Sequence, residues 1–309
     1  MTKITKRNLI LPLLFILLQT FSGNSYAELS KTVEVAIVNV KFGESSSCSG
    51  FDDTTDPPWL IVPKEGQNTA KAKITPSTAA TEVDFESGDT NKATVLPISA
   101  SGSPQTIIVK GVAKGDTNVK AKADNTEAGT LNISVKERKT IKVALHYMKD
   151  NAGHSTTRSN VSAQNVIDEM NAHWTPQANI VFTKFAVDDP TVPKDLGNIV
   201  GEVPTATGEW LDITAFVTAG ADMNIFFVWE FETDADPATD SADGGTAGSN
   251  VLIEDNTAMT VGRDAAHEAG HVFGVSPSDY NPPVTGGQLM DAYGSGCKIV
   301  KSEVDQANQ

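Results

Sequence analysis

The chain has 309 residues and a formal net charge of −15, from 24 basic and 39 acidic side chains. A polymer this acidic is repelled by the phosphates of nucleic acid and by anionic lipid, so we expect neither as a partner. The length favours two domains over one, and nothing in the sequence indicates an oligomeric state.

The first residues have the form of a secretory signal peptide. A basic start is followed by an apolar run from Leu9 to Phe21 and by small residues at Ser25 and Ala27. The apolar run is short for a membrane span, and no later segment approaches the length required, so we expect no membrane insertion. We therefore predict a signal peptide at residues 1–27 and a secreted or periplasmic mature protein.

Short stretches of alternating apolar and polar residues fill the chain from residue 32 to residue 135. Gly, Pro, Asn and Asp separate these stretches, and no helical periodicity lies between them. Strands at this regular spacing predict a small β-sandwich. The clearest stretches are 33–38, 70–74, 106–109, 118–122 and 131–135.

Three short segments of this region occur in an order that resembles a bacterial immunoglobulin-like (Ig-like) domain of group 2. They are 74–77, 85–89 with 93–95, and 111–119. The resemblance covers roughly Trp59 to Val135. It implies an Ig-like β-sandwich, which we place at residues 28–138, and a role as a spacer or adhesive module.

From Lys139 onwards the pattern is mixed. Strand-like stretches occur at 141–147, 180–187 and 223–231, and a helical pattern occurs at 162–174 with Ser162 as a candidate N-cap. We therefore predict a second domain of mixed α and β structure at residues 139–309. The apolar side of its first helix consists of Val166, Ile167, Met170 and Trp174.

The segment His267-Glu268-Ala269-Gly270-His271 carries the clearest chemical signal. Residues four apart lie on one face of a helix, so His267 and His271 can bind one metal ion from adjacent turns. Zinc lowers the pKa of bound water to about 7, and Glu268 is placed to accept the proton and pass it to a departing amine. The motif predicts a zinc-dependent hydrolase with Glu268 as general base.

The flanks of the motif also favour a helix. Asn256 or Thr257 is a candidate cap at its start, and Gly274 is a candidate for its end. Pro277 prevents the helix from continuing.

Gly274 extends the motif to His-Glu-x-x-His-x-x-Gly, and Met290 follows in the Gly-rich segment 286–294. Both features resemble the metzincins, in which the glycine permits a turn toward a third zinc ligand and the methionine forms an apolar floor beneath the metal. The resemblance implies a catalytic domain with a twisted mixed sheet, an active-site helix and zinc as cofactor.

The sequence departs from the metzincin pattern at the third ligand, where Pro277 cannot bind a metal. Some metzincins use an aspartate there, so the resemblance makes Asp279 the substitute. The other interpretation of Asp279 is a solvated turn residue. A further alternative is a non-metzincin zinc peptidase whose third ligand is a more distant acid, such as Asp291 or Glu303.

Two more features are interpreted through the same resemblance. Residues 244–253 resemble the edge strand over the metzincin cleft, which would bind an extended protein or peptide substrate by strand addition. Tyr293 is a candidate for stabilising the oxyanion. Independently of the resemblance, an acidic loop precedes the edge strand, and its residues suit either a structural Ca²⁺ site or a solvated loop. Its acidic residues are Asp234, Asp236, Asp240 and Asp243.

The two cysteines, Cys48 and Cys297, leave three alternatives. They form a disulfide, they are separate buried thiols, or the Cys48 thiolate occupies the zinc as a latency switch. The histidines outside the motif are His146, His154 and His173; none has a partner at ligand spacing, and we predict packing or surface roles for them.

We therefore predict an α+β protein, with an N-terminal Ig-like β-sandwich followed by a metzincin-like α/β catalytic domain. The predicted function is that of a secreted zinc metalloendopeptidase, which hydrolyses peptide bonds with a zinc-bound water activated by Glu268. Its predicted metal ligands are His267, His271 and Asp279. The alternative is a surface binding or adhesion module whose peptidase domain has decayed, for which Pro277 is the argument.

Overall fold

The computed structural model describes residues 37–76, 81–201, 208–232, 244–257, 259–275, 287–291 and 296–309. The predicted signal peptide lies outside these residues. Within the described ranges, no helix is both long enough and apolar enough to cross a membrane.

The N-terminal half of the described chain consists of two β-sheets. Its strands are β1 (Asn39–Glu44), β2 (Phe51–Asp52), β3 (Trp59–Pro63), β4 (Gln67–Thr75), β5 (Glu82–Ser87), β6 (Ala93–Leu96), β7 (Ser99–Ser101), β8 (Gln105–Gly111), β9 (Gly115–Ala123) and β10 (Thr126–Lys136). One sheet has the strand order β1-β4-β8-β6 and the other has the order β2-β3-β10-β9-β5-β7. The stretches predicted from residue 70 onwards lie in β4, β8, β9 and β10, and the stretch 33–38 lies mostly outside the described residues.

An apolar core joins the two sheets into a sandwich. Strand β4 buries Ala70, Ala72 and Ile74 and turns the residues between them outward, because successive side chains of a strand point to opposite faces. Full burial of a large aliphatic or aromatic side chain stabilises a fold by about 1.5–3 kcal/mol. The core includes Val40, Ile74, Val95 and Val109 from one sheet and Leu60, Phe85, Val119 and Ile133 from the other.

The C-terminal half combines a five-stranded sheet with helices. In chain order its elements are β11 (Lys139–Tyr147), β12 (Lys149–Asp150), a 3-10 turn (Asn160–Ser162), α1 (Ala163–Ala178), β13 (Ile180–Asp188), β14 (Thr191–Val192), β15 (Val200–Gly201), α2 (Glu209–Thr214), β16 (Met223–Phe227), β17 (Phe231–Glu232), β18 (Gly244–Ala247), β19 (Asn250–Ile253), α3 (Val261–Val272) and α4 (Lys301–Ala307). The sheet has the order β13-β11-β16-β19-β18. Its pairs are parallel except for β18, which is antiparallel to β19, so the sheet is mixed as predicted.

Helix α1 begins at the residue after the predicted N-cap, Ser162, and continues past the predicted end at Trp174. Pro176 lies in the last turn and does not end the helix, which closes at Asn179 in a left-handed conformation. The predicted apolar side is buried. Its Trp174 donates an indole hydrogen bond of 2.9 Å to the carbonyl of Ala266, which fixes α1 against α3.

Two strands are shorter than predicted. The stretch 223–231 ends as a strand at Phe227, and Phe231 begins a separate short strand. The stretch 244–253 is a hairpin and not one strand, because Gly248 adopts a φ of +63° and the chain reverses between β18 and β19. On this side of the sheet the edge strand is therefore β18, and β13 is the opposite edge.

Covalent and polar contacts join the sandwich to the C-terminal half. Cys48 and Cys297 form a disulfide with a Cα–Cα distance of 5.7 Å, so the two alternatives that required free thiols are wrong. Lys136 pairs with Asp305 at 2.5 Å. Ile61 of β3 packs into the core of the C-terminal half. Residues 37–309 accordingly form one compact unit.

Candidate metal centre

The predicted motif lies on helix α3, but the helix starts later than predicted. The residue before its first turn is Thr260, which is extended, so Asn256 and Thr257 are not the cap. Thr257 instead donates its hydroxyl to the carbonyl of Met259, in a turn ahead of the helix. The prediction that Asn256 or Thr257 caps the helix was therefore wrong.

Gly274 ends the helix as predicted. It has a φ of +80°, a conformation that is strained for any residue with a Cβ. The N–H of Val275 then bonds back to the carbonyl of Gly270 at 2.9 Å, which satisfies the end of the helix. This turn brings the Val275 carbonyl next to the motif.

The two motif imidazoles are oriented by backbone carbonyls. Nδ1 of His267 lies 2.8 Å from the carbonyl oxygen of Leu289, and Nδ1 of His271 lies 3.1 Å from that of Val275. A carbonyl oxygen can only accept, so each Nδ1 carries the proton and donates it. The proton-free Nε2 atoms of the two rings then face each other at 3.2 Å.

This arrangement fits a zinc ion. Two nitrogen lone pairs at hydrogen-bond distance, with no proton between them, repel unless a cation lies near both. Zinc binds imidazole nitrogen at about 2.0–2.1 Å with tetrahedral angles, which separates two ligand atoms by about 3.3 Å. The observed 3.2 Å matches that separation. Nδ1 bonds to carbonyls are also the usual outer contacts of zinc-binding histidines.

Burial keeps both rings in the ligand form. It lowers the pKa of His267 to about 4 and lowers the pKa of His271 as well. Both imidazoles are therefore neutral at neutral pH, which is the form that binds metals.

Glu268 is buried beside them. Burial raises the pKa of its carboxyl to about 7, against the opposing effect of a hydrogen bond from Thr246, and the nearby Asp264 raises it further. A carboxyl with a pKa near 7 can both accept and release a proton at neutral pH. Among the described residues, one carboxylate oxygen of Glu268 and one ring nitrogen of each motif histidine all lie within 4.8 Å of one another.

Strand β18 forms one wall of an open cleft of about 540 Å³ above α3. The cleft is lined by Gly244, Gly245, Thr246, Gly248, Glu268, His271 and Val272. The hydroxyl of Thr246 donates to a carboxylate oxygen of Glu268 at 2.5 Å. The sheet edge, the carboxyl group and one motif histidine therefore meet in a single cleft.

Met290 lies against the motif helix. Its side chain is buried, and a Cβ added to Gly270 would lie 2.2 Å from the Met290 sulfur. Arg263 of the same helix donates to the carbonyls of Leu289 and Asp291 at 3.2 and 3.1 Å. The helix and the segment around Met290 thus fix one another in place.

Several predicted site residues lie outside the described residues. They are Asp279 with Pro277, Tyr293, and the acidic loop residues Asp234, Asp236, Asp240 and Asp243. Of the alternative third ligands, neither Asp291 nor Glu303 belongs to the described group of converging ligand atoms. The Glu303 carboxylate accepts the N–H of Val300 at 2.9 Å and caps α4.

The prediction that His154 has no partner at ligand spacing was wrong. His154 Nδ1 lies 2.7 Å from Asp150 and 3.8 Å from Asp195. The spacing of four between Asp150 and His154 was the available signal. The Asp150 carboxylate also accepts four backbone N–H groups, from residues 152, 153, 154 and 196, so it organises this loop.

The other two histidines were predicted to have packing or surface roles. His146 is buried, stacks on Phe226 and bonds Asp188 at 2.7 Å. His173 lies half-buried on α1. The sequence did not predict the contact of Thr246 with Glu268. It also did not predict the carbonyls of Leu289 and Val275, because every residue has a backbone carbonyl and the residue type gives no sign of its role.

Three solved structures resemble parts of the chain at low TM-scores. Domains 5–6 of the S-layer protein SbsC are 26% identical over 24% of this chain and 38% of that chain, with a TM-score of 0.21. A longer form of SbsC is 25% identical over 26% of this chain and 12% of that chain, with a TM-score of 0.23. The archaemetzincin of Methanopyrus kandleri is 12% identical over 55% of this chain and 87% of that chain, with a TM-score of 0.33. This chain therefore spans well under two thirds of the S-layer chains, and none of the three TM-scores is evidence of a shared fold.

One family match is specific. None of the curated proteins matches this chain. Residues 53–133, however, match the family described as bacterial Ig-like domain (group 2), which agrees with the resemblance predicted for the sandwich. The chain therefore contains a bacterial Ig-like domain of group 2 within its N-terminal half.

Proposed function

We propose that the chain is an exported zinc-dependent endopeptidase whose metal is bound by His267, His271 and Asp279. The observation that carries the proposal is the pair of proton-free Nε2 atoms, 3.2 Å apart, beside a buried carboxyl group. This combination favours a divalent cation over a hydrogen-bonded packing role, since each ring already donates its Nδ1 proton to a carbonyl.

Zinc, when bound there, supplies a Lewis acid that lowers the pKa of water to about 7. Glu268 accepts a proton from the attacking water and delivers it to the departing amine. Burial suits Glu268 to this exchange, because it raises the pKa of the carboxyl to about 7. The neighbouring imidazoles stay neutral and do not compete for that proton.

The substrate class follows from strand β18. It is one of the two edge strands of the five-stranded sheet and forms the cleft wall next to Glu268. The backbone groups of an edge strand pair with an extended peptide without regard to its side chains. We therefore propose an extended segment of a protein or peptide as substrate.

Asp279 is the proposed third ligand. It lies in the segment 276–286, and described residues on both sides of that segment contact the motif. Val275 accepts the hydrogen bond from His271, and Leu289 accepts the one from His267. A carboxylate is a suitable third zinc ligand beside two imidazoles.

The compartment is inferred from the disulfide. Disulfides persist in oxidising environments outside the cytosol. The Cys48–Cys297 bond therefore supports the export predicted from residues 1–27. The Ig-like domain is compatible with a surface or extracellular location.

A second candidate is a surface binding or adhesion module whose peptidase half is inactive. The match of residues 53–133 to a bacterial Ig-like family favours this candidate as much as an enzyme with an accessory domain. It predicts a folded protein that binds a partner without zinc and without hydrolysis.

Metal analysis and a cleavage assay test the proposal. We expect the purified mature chain to hold about one zinc per chain and to cleave a quenched-fluorescence peptide library, with activity lost to a chelator and restored by zinc. His267→Ala should lose zinc, whereas the control His173→Ala on α1 should keep it. A folded wild-type chain with neither zinc nor cleavage would favour the binding module.

A further inference from the structure

The side chains of strand β18 alternate between the two faces of the sheet, and its pairing with β19 fixes their positions. Gly244 pairs with Ile253 and Thr246 with Val251 in the antiparallel register. Residues two apart in a strand point to the same face, so positions 244 and 246 share one face. That face is turned to helix α3, because both positions lie within contact distance of Glu268.

The two oxygens of the Glu268 carboxylate are held differently by these two positions. Oε2 accepts the Thr246 hydroxyl at 2.5 Å. Oε1 faces Gly244, where an added Cβ would lie 3.0 Å from it. Strand β18 therefore hydrogen-bonds to Oε2 through Thr246. Because Gly244 has no side chain, the strand leaves space beside Oε1.

This contact restricts a side chain that would otherwise turn easily. The terminal torsion of a glutamate is broad, so packing of its stem alone does not set the plane of the carboxylate. The side chain is also largely buried, and a charge-assisted hydrogen bond strengthens in such surroundings. The Thr246 hydroxyl thus selects one orientation of the carboxylate.

We propose that Thr246 is a positioning residue for the general base, which rests on the proposed peptidase function. By donating to Oε2, it leaves Oε1, which lies beside the cleft-lining Gly244, as the oxygen that takes up the proton. The strand that receives the substrate backbone is then also the strand that orients the base.

A hydroxyl-specific set of variants tests this role. Thr246→Val removes the hydroxyl and keeps the shape and strand propensity of the side chain, whereas Thr246→Ser keeps the hydroxyl. Thr140→Val is the matched control, since Thr140 is an exposed threonine on β11 of the same sheet. We expect Thr246→Val to lower kcat by about 10- to 100-fold with little change in KM or in zinc affinity. Thr246→Ser should recover most of the loss, and Thr140→Val should match wild type.

A measurement on the metal-free protein separates the contact from the reaction. Thr246→Val should lower the Tm of the wild-type chain by about 2–4 °C and should leave the Tm of the Glu268→Ala chain nearly unchanged. Equal shifts in the two backgrounds, or an unchanged kcat in Thr246→Val, would overturn the positioning role. A Tm coupling in a chain that neither binds zinc nor cleaves peptide would instead reject the peptidase function, and the catalytic role of Thr246 with it.

Discussion

Nδ1 of His267 lies 2.8 Å from the carbonyl oxygen of Leu289, in the part of the chain that is tied to the β-sandwich through Cys297. Gln177 of α1 supports this segment by donating to the Cys297 carbonyl at 2.6 Å and accepting the N–H of Ile299 at 2.9 Å. The orientation of a motif histidine thus depends on contacts with α1 and with the sandwich. The Ig-like half is consequently expected to affect the metal site.

The first prediction concerns the disulfide. Replacing both cysteines, Cys48→Ser with Cys297→Ser, should lower the free energy of unfolding by about 2–5 kcal/mol, because the bond closes a long loop in the unfolded chain. It should also weaken zinc binding by about tenfold, since the Leu289 carbonyl is less firmly held. Urea unfolding and chelator competition measure the two effects. An unchanged zinc affinity would show that the sandwich does not support the site.

The second prediction concerns the general base. Glu268→Gln keeps the shape of the side chain but cannot take up a proton, so cleavage should fall by about 10²- to 10⁴-fold while zinc stays bound. Initial rates on a fluorogenic peptide, with metal analysis of the same samples, measure this. The control is Glu137→Gln, an exposed residue outside the cleft. Retained activity in Glu268→Gln would remove Glu268 from the proposed role.

The third prediction concerns the third ligand. Asp279→Ala should weaken zinc binding by at least about tenfold, because two imidazoles alone leave the coordination sphere incomplete. Asp291→Ala is the comparison, since Asp291 is the nearby alternative and does not belong to the described ligand group. Isothermal titration of the metal-free protein distinguishes them. If only Asp291→Ala weakens binding, Asp279 is not the ligand.

The fourth prediction concerns the contact between helix α3 and Met290. In Gly270→Ala the new Cβ would lie 2.2 Å from the Met290 sulfur, so the core must shift. We expect a loss of about 1–3 kcal/mol in the free energy of unfolding and a weaker zinc site. Gly43→Ala, where an added Cβ meets nothing within 4 Å, is the control. Equal stability of the two variants would contradict the packing described here.

The fifth prediction concerns acid stability. Burial disfavours the charged form of Asp150, but the hydrogen bonds from His154 and from backbone N–H groups outweigh it and lower its pKa to about 2 from the ordinary 3.8. The carboxylate therefore stabilises the fold above about pH 4, and this contribution disappears as the pH falls toward about 2. Urea unfolding across that range should show a steeper loss in wild type than in Asp150→Asn. Asp195→Asn, whose side chain is 64% exposed, should follow wild type, and parallel curves for wild type and Asp150→Asn would refute the assignment.

Local patterns predicted many of the strands and helices and the two histidines that the structure brings together in the candidate site. The alternation at Ala70, Ala72 and Ile74 and the spacing of His267 and His271 are properties of single elements, and period alone reveals them. Gly274 is similar, because its left-handed turn depends on its own missing Cβ.

Features that depend on tertiary contacts were missed or misplaced. The Thr246 hydroxyl reaches Glu268 only because β18 folds back beside β19, and the run of small residues around Gly248 resembled one continuous strand. The Leu289 carbonyl acts through the backbone, which every residue shares. The cap at Thr260 was misplaced because Asn256 and Thr257 also favour turns.

The disulfide joins a cysteine that is made early to one that is made late. Ribosomes make Cys48 first, then both motif histidines, and only afterwards Leu289 and Cys297. A nascent or unoxidised chain therefore has both imidazoles before it has the covalent bond that secures the segment whose Leu289 carbonyl orients His267. If the chain is exported as proposed, the disulfide forms after translocation, and the proposed enzyme then becomes active outside the cytosol and away from the cytosolic proteins of the producing cell.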